Sequence, residues 1–233
     1  MNKFLAVVLL VPLLAHAQEE GKPWTGSAAL GILATSGNSD TMNANLGLNL
    51  NYDVDRWHHA FGAIAAGADS NSVTTAERYK AGYKAKYDFT EFDYVFGLLS
   101  YEKDKFSGYD QQTTEAIGYG RRIINEDNQV LNLEAGAGFK QNELRDNTSE
   151  DSAIIRVGGD YLWKFSETAR FTQVLAIERG SDNTFTESIT AIKATLIEQL
   201  GLVFSYTIKN NSDVPAGSEK SDTFTAISLE YGF

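Results

Sequence analysis

The sequence predicts an all-β fold, a transmembrane antiparallel up-and-down β-barrel of about twelve strands. Three observations predict it. Apolar residues recur with a period of two almost to the end of the chain. The alternating segments run to ~10–12 residues, the length a tilted strand needs to cross hydrocarbon, whereas strands of soluble sandwiches usually stop at ~5–6. The large aromatic residues fall at one end of these segments, at a single rim.

The alternation is clearest from Met42 to Tyr52. There Met42, Ala44, Leu46, Leu48, Leu50 and Tyr52 interleave with Asn43, Asn45, Gly47, Asn49 and Asn51. Successive strand residues point to opposite faces, so one face is apolar and the other is amide-rich or bare. Between Tyr79 and Tyr87 the pattern returns with Arg78, Lys80, Lys84 and Lys86 on the polar face. It appears again from Leu131 to Phe139 and from Leu200 to Ile208. Clusters of Asn, Asp, Gly and Ser separate these runs and read as turns. Period and punctuation together place strands near 24–35, 41–52, 57–68, 76–87, 92–103, 112–123, 129–141, 152–164, 169–179, 184–196, 199–209 and 222–233. Those over 112–123, 169–179 and 184–196 carry the weakest pattern.

In an up-and-down topology that starts in the periplasm, Trp24 and Trp57 begin rising strands and Trp163 ends a returning one. Tyr52, Tyr87, Tyr231 and Phe233 fall at the same rim. Indole and phenol rings prefer the headgroup level of a bilayer, so these seven residues are the expected membrane-interface belt, with Phe92, Tyr94, Tyr161, Phe165 and Phe171 clustered at the same rim.

Several classes are excluded on composition. Lys3, the apolar run Phe4–Leu14 and the small-x-small site Ala15-His16-Ala17 read as a signal peptide over 1–17, cleaved after Ala17, with the barrel over 18–233. The formal net charge of −11 becomes −12 once Lys3 is removed, which argues against nucleic acid as a partner. The absence of cysteine excludes a disulfide framework and a lipidated N-terminal Cys.

The last segment alternates to the end of the chain. Ile227, Leu229, Tyr231 and Phe233 share one face, with Ser228, Glu230 and Gly232 on the other. A terminal Phe preceded by alternate apolar residues resembles the signal read by the outer-membrane barrel assembly machinery. An apolar edge strand would invite aggregation unless it closed against the first strand. Together with Ser36-Gly37-Asn38-Ser39-Asp40-Thr41 after the first strand, and with Asp222-Thr223-Phe224-Thr225, this ending is similar to the salt-induced outer membrane proteins, family 481 among the domains of unknown function. The resemblance implies a location in a Gram-negative envelope, outer-membrane lipid and lipopolysaccharide as surroundings, and a response to salt or osmotic stress. It implies no activity.

A lipid hydrolase embedded in the membrane would need a histidine to take a serine proton. The candidates are His58 and His59, which as strand neighbours face opposite sides and find no evident serine partner. The acidic run Asp146–Asp151 lacks the fixed spacing of a calcium loop. No metal, cofactor or catalytic residue is assigned. The expected lumen is more informative. Arg78, Lys80, Lys84 and Lys86 form a basic ladder on the fourth strand, while inward carboxylates are expected at Glu134, Asp160, Glu178, Glu187 and Glu230. The fourth strand of a twelve-strand ring faces the tenth. This arrangement suits either a narrow passive pore with a transverse field or a lumen filled by ion pairs, with Arg156 and Lys164 neutralising Asp160.

Overall fold

The computed structural model describes residues 23–35, 41–71, 73–105, 109–144, 148–214 and 219–233. The expected leader and its cleavage site, and most of the Ser36–Thr41 motif, lie outside these residues. The chain forms twelve strands: β1 Trp24–Thr35, β2 Thr41–Val54, β3 Trp57–Ser70, β4 Val73–Asp88, β5 Asp93–Asp104, β6 Tyr109–Asn125, β7 Gln129–Leu144, β8 Ser149–Lys164, β9 Ala169–Arg179, β10 Thr184–Ile197, β11 Leu200–Asn211 and β12 Ser221–Gly232. Each pairs antiparallel with its sequence neighbours, and β1 pairs with β12, so the sheet closes into a barrel.

The strands extend beyond the alternating segments, mainly at one end. β6 reaches 17 residues, and β4, β7 and β8 reach 16. Most of the additional residues are polar and lie on the side of the longer connections, where hairpins continue to pair above an apolar band. At the opposite end the connections are tight. The two-residue turn after β2 places Asp55 at φ 52°, and the turn after β10 places Glu198 at φ 45°. Such hairpin turns require positive φ to match the twist of their strands.

The barrel is apolar outside and polar inside. Ile117 is 74% exposed, Ile155 66% and Phe139 65%, all on the outer face. Glu134, Lys140, Glu178 and Lys209, each 5% exposed, are sequestered within. Among the described residues no second layer covers the outer face, and closure pairs the backbone groups that hydrocarbon could not solvate.

The wall is not uniform. On β5 Tyr94 is fully buried and Phe96 is 3% exposed. Their rings lie against inward glycines of β6. A Cβ on Gly120 would sit 2.3 Å from the Tyr94 ring, and one on Gly118 would sit 2.7 Å from Phe96. On β7 a Cβ on Gly138 would meet the Glu115 carbonyl at 1.9 Å. Only glycine fits a wall bent this closely around two rings.

The closing seam is short. β1 and β12 share the register Ser27↔Gly232 to Leu30↔Leu229, extended by reciprocal backbone bonds between Gly26 and Phe233 of 2.8 and 2.9 Å. By contrast, β1 and β2 pair from Trp24↔Tyr52 to Thr35↔Thr41.

Candidate functional site: a charge-bridged lumen

The basic ladder of β4 does not face a single wall. Lys80 reaches across the barrel to Glu187 on β10, with Nζ 2.7 and 2.8 Å from the two carboxylate oxygens. Arg78 donates to Glu102 on the adjacent β5 at 2.9 Å. Lys209 on β11 also donates to Glu102 and lies 3.9 Å from Glu187. Four strands thereby meet in one cluster nearer the long-loop end. The guanidinium of Arg78 stacks 4.7 Å from the Phe224 ring on β12.

Nearer the tight-turn end, Lys84 bridges to Glu134 on β7 at 2.5 and 2.6 Å. Lys86 is 3.9 Å from the same carboxylate, and the Tyr94 hydroxyl donates to it at 2.9 Å. A third group joins Lys140 of β7 and Arg156 of β8 to Glu178 of β9. A fourth joins Lys193 of β10 to Glu230 of β12 at 2.6 Å, with Arg170 at 3.5 Å. Asp160 is met by Asn132 at 2.6 Å.

Asp160 therefore departs from its expected partners. Arg156 turns to Glu178, and Lys164 donates to the Asp127 carbonyl at 3.1 Å. On the antiparallel ladder Arg156 sits opposite Glu178, within direct reach, whereas Asp160 sits opposite Asn132.

Sequence reasoning did not single out Glu102, Lys140, Lys193 or Lys209. Glu102 lies in the run Tyr101-Glu102-Lys103-Asp104, where charges of both signs on both faces obscure the inward position. Counting alternate positions forward from Tyr94 reaches it, but Tyr94 falls among the expected rim aromatics and only the structure turns its ring into the lumen. The registers Tyr94↔Gly120 and Glu102↔Gln112 keep both on one face.

The Lys80–Glu187 bridge is testable as a pair. The Lys80→Gln/Glu187→Gln cycle is expected to show a coupling of about 1–2 kcal/mol in urea unfolding of the refolded barrel. Glu187→Gln alone should cost more than Lys80→Gln, because Glu187 also lies 3.9 Å from both Arg78 and Lys209. A coupling of zero would mean that the bridge is solvated and contributes nothing.

The two histidines take up other partners. His58 faces inward and places its ring nitrogens 2.8 Å from Asp53 and 3.0 Å from Asp88. Arg122 joins Asp88 at 2.8 Å. His59 faces outward, 2.7 Å from the Tyr83 hydroxyl, and stacks on Trp57 with ring centroids 5.8 Å apart. Neither is arranged against a serine hydroxyl. The rings expected in the belt adjoin one another at the tight-turn end: Trp24 lies 4.6 Å from Tyr52, Trp57 5.0 Å from Tyr87, and Trp163 5.5 Å from Phe165. Ile227 and Leu229 of the last strand are 58% and 49% exposed on the outer face. Tyr231 pairs with Ala28, and Phe233 bonds through its backbone to Gly26. Among the described residues no group of His, Asp or Glu is arranged to hold a metal ion; the acidic run at 146–151 falls partly outside them.

Comparison with known proteins adds the family. A family model described as protein of unknown function, DUF481, matches residues 28–233. The chain belongs to this family. The uncharacterized protein YdiY of Escherichia coli (strain K12) is 29% identical over 211 residues, covering 90% of this chain and 83% of that protein. Among solved structures, the COG4313 outer membrane channel from Pseudomonas putida F1 superposes with a TM-score of 0.53 at 11% identity, covering 94% of this chain and 98% of the other. The translocator domain of the autotransporter NalP from Neisseria meningitidis superposes with a TM-score of 0.51 at 10% identity, covering 96% and 92%. This family member thus has the fold of outer-membrane β-barrels. These two structures carry different descriptions, a channel and a translocator, so the property they share with this chain is the barrel.

Proposed function

We propose that the protein is a passive pore of the Gram-negative outer membrane, narrow because ion pairs occupy much of its lumen. In this reading the tight turns and the belt of Trp24, Tyr52, Trp57, Tyr87, Trp163, Tyr231 and Phe233 face the periplasm, and the longer connections face outward. The leader over 1–17 directs export and is removed after Ala17. The barrel assembly machinery inserts the chain by reading Ile227, Leu229, Tyr231 and Phe233. Surrounding lipid and lipopolysaccharide are its partners in place, and it catalyses no reaction.

The observation that carries this reading is the inverted barrel, with an apolar outer face and a polar, charge-rich interior. A purely structural barrel could fill its lumen with close-packed apolar side chains at lower desolvation cost. Polar residues along the full height of an interior suit contact with water and solute. The lumen-lining residues are Arg78, Lys80, Lys84, Lys86, Glu134, Asp160, Glu178, Glu187 and Glu230, joined by Glu102, Lys140 and Lys209.

Planar-bilayer recording of the refolded full chain tests this. Discrete unit conductance steps are expected, small beside those of wide porins, and larger in Lys80→Ala/Glu187→Ala, which removes the bridge across the lumen. A bilayer that stays silent with folded, inserted protein overturns the pore. Hydrolysis of a phospholipid vesicle, lost in His58→Ala or His59→Ala, would move the reading to a lipid hydrolase. The salt response implied by the family resemblance is a matter of expression, read by envelope protein levels across a sodium chloride shift.

A further inference from the structure

The charged side chains do not fill the lumen evenly. The bridges from Lys80 to Glu187 and from Lys209 to Glu102 join strands on opposite sides of the ring. The links from Lys84 to Glu134 and from Lys140 to Glu178 stay on the side of β4–β9. That side also holds Tyr94 and Phe96, and a cavity of about 200 Å³ lined by charges of both signs, including Lys80, Glu102, Lys140 and Glu187. The stack of Arg78 on Phe224 joins β4 to β12 and walls off what remains.

The remaining sector lies against β1, β2 and β3. Among the described residues, its inward faces carry no charged side chain beyond the His58 cluster at the tight-turn end; Asp69, opposite Met42, lies on the outer face. β2 contributes Asn43, Asn45, Asn49 and Asn51, each paired in register with a small residue of β3: Ala68, Ala66, Gly62 and Ala60. From β1 and β12, Ser27 and Ser228 add hydroxyls, and Ser228 donates to the Asn45 amide oxygen at 2.8 Å.

Two independent observations show that, among the described residues, this sector is open. Ile64 sits opposite Lys80 and Gly47 on the inward face, yet it is 43% exposed. Its exposure is to the lumen, not to the outside. The inward glycines of β2 and β3 also differ from those of β6 and β7, although Gly31 of β1 is closed in by the Ile227 carbonyl and the Asn45 amide. A Cβ added to Gly47 would meet its nearest neighbour at 3.6 Å and one on Gly62 at 3.5 Å, both ordinary contacts. Glycine on β2 and β3 leaves space, whereas glycine on β6 and β7 makes way for backbone and rings.

We propose that solute crosses through this off-centre passage along β1–β3, and that the passage selects small uncharged solutes bearing hydroxyl or amide groups. The proposal rests on the pore reading above. The neighbouring charges are held in contact pairs of both signs, so their fields cancel over a short distance and leave little net potential along the passage. Selectivity then comes from width and from the donors and acceptors that line the route. Asparagine supplies both a donor amide and an acceptor oxygen, which suits a hydroxylated solute exchanging hydrogen bonds with water.

The experiment uses the full chain refolded into liposomes and planar bilayers, with glycerol, arabinose and glucose as uncharged probes and potassium chloride for ion selectivity. Gly47→Phe and Gly62→Phe place a ring in the passage where a Cβ has room. Gly97→Phe is the control, since Gly97 lies on the outer face with nothing within 4 Å of an added Cβ. The expected result is swelling of wild-type liposomes with arabinose, weak ion selectivity, and a several-fold loss of both swelling and unit conductance in the Gly47 and Gly62 variants. Gly97→Phe should behave as wild type. If wild type conducts and the folded Gly47→Phe and Gly62→Phe proteins conduct equally, the route lies elsewhere; the passage falls and the pore stands. Strong preference for one sign of ion, without swelling in arabinose, overturns the uncharged-solute class. A folded wild-type protein that neither conducts nor swells liposomes removes pore and passage together.

Discussion

Replacing Glu134 with alanine is expected to lower the stability of the folded barrel by about 3 kcal/mol. Glu134 is the common acceptor for Lys84, Lys86 and the Tyr94 hydroxyl. Removing it leaves two ammonium groups facing one another and a phenol that is fully buried with no acceptor. An orphaned buried hydroxyl costs about 1–3 kcal/mol by itself. Breaking a buried pair by deleting one partner costs about 3–5 kcal/mol, and the lower end applies here. The two lysine side chains retain 21% and 22% exposure, so water recovers part of the loss. Glu134→Gln should cost less, because the amide oxygen still accepts from Tyr94. The measurement is urea unfolding of the refolded protein, followed by the heat-sensitive shift of the folded band on gels. A Glu134→Ala barrel as stable as wild type would mean that the lower cluster is dispensable, and that Lys84 and Lys86 reorient into water without penalty.

Ending the chain at Glu230 is expected to abolish the closed barrel. The seam comprises four paired positions and the Gly26–Phe233 bonds. Loss of Tyr231, Gly232 and Phe233 removes Ser27↔Gly232, Ala28↔Tyr231 and both Gly26–Phe233 bonds. The exposed backbone groups would lie against lipid, where each unsatisfied group costs several kcal/mol. The folded, heat-sensitive band should vanish from refolding in detergent. A truncated chain that still yields this band would show that the seam closes without its last residues. Phe233→Ala separates closure from recognition, since it keeps both backbone bonds. It should refold in detergent, and a fall in its outer-membrane level in cells would then assign the ring to the assembly step. Equal levels in cells would remove that assignment.

Much of the fold was legible because a barrel wall is one layer thick. Each residue faces either lipid or lumen, so alternation along Met42–Tyr52 or Leu200–Ile208 maps directly onto two faces without knowledge of the packing. The expected β9 range coincides with the observed strand, although its pattern was among the weakest, because the turns at its ends mark it. Strand ends toward the long connections were less legible. There the outer face leaves the apolar band, and the polar residues that continue the ladder read as loop, as in Tyr109–Gln111 and Asn142–Leu144.

The interior divides along the same physical line. That Lys80, Lys84 and Glu134 point inward follows from local alternation alone. That Lys80 takes Glu187, while Lys84 takes Glu134 three strands away, depends on the stagger of the closed barrel and on how far each flexible side chain reaches across it. The exchange of Asp160 for Glu178 as the partner of Arg156 has the same origin, since cross-strand register is a property of the pair and not of either strand. The sparing of β1–β3 from this network emerges in the same way. The amide ladder of Asn43–Asn51 was visible from the start, but only the closed ring shows that no charged side chain from the far wall is drawn across it. Local chemistry sets which face each residue takes; the three-dimensional closure of the sheet sets which residues meet and which part of the lumen they leave open.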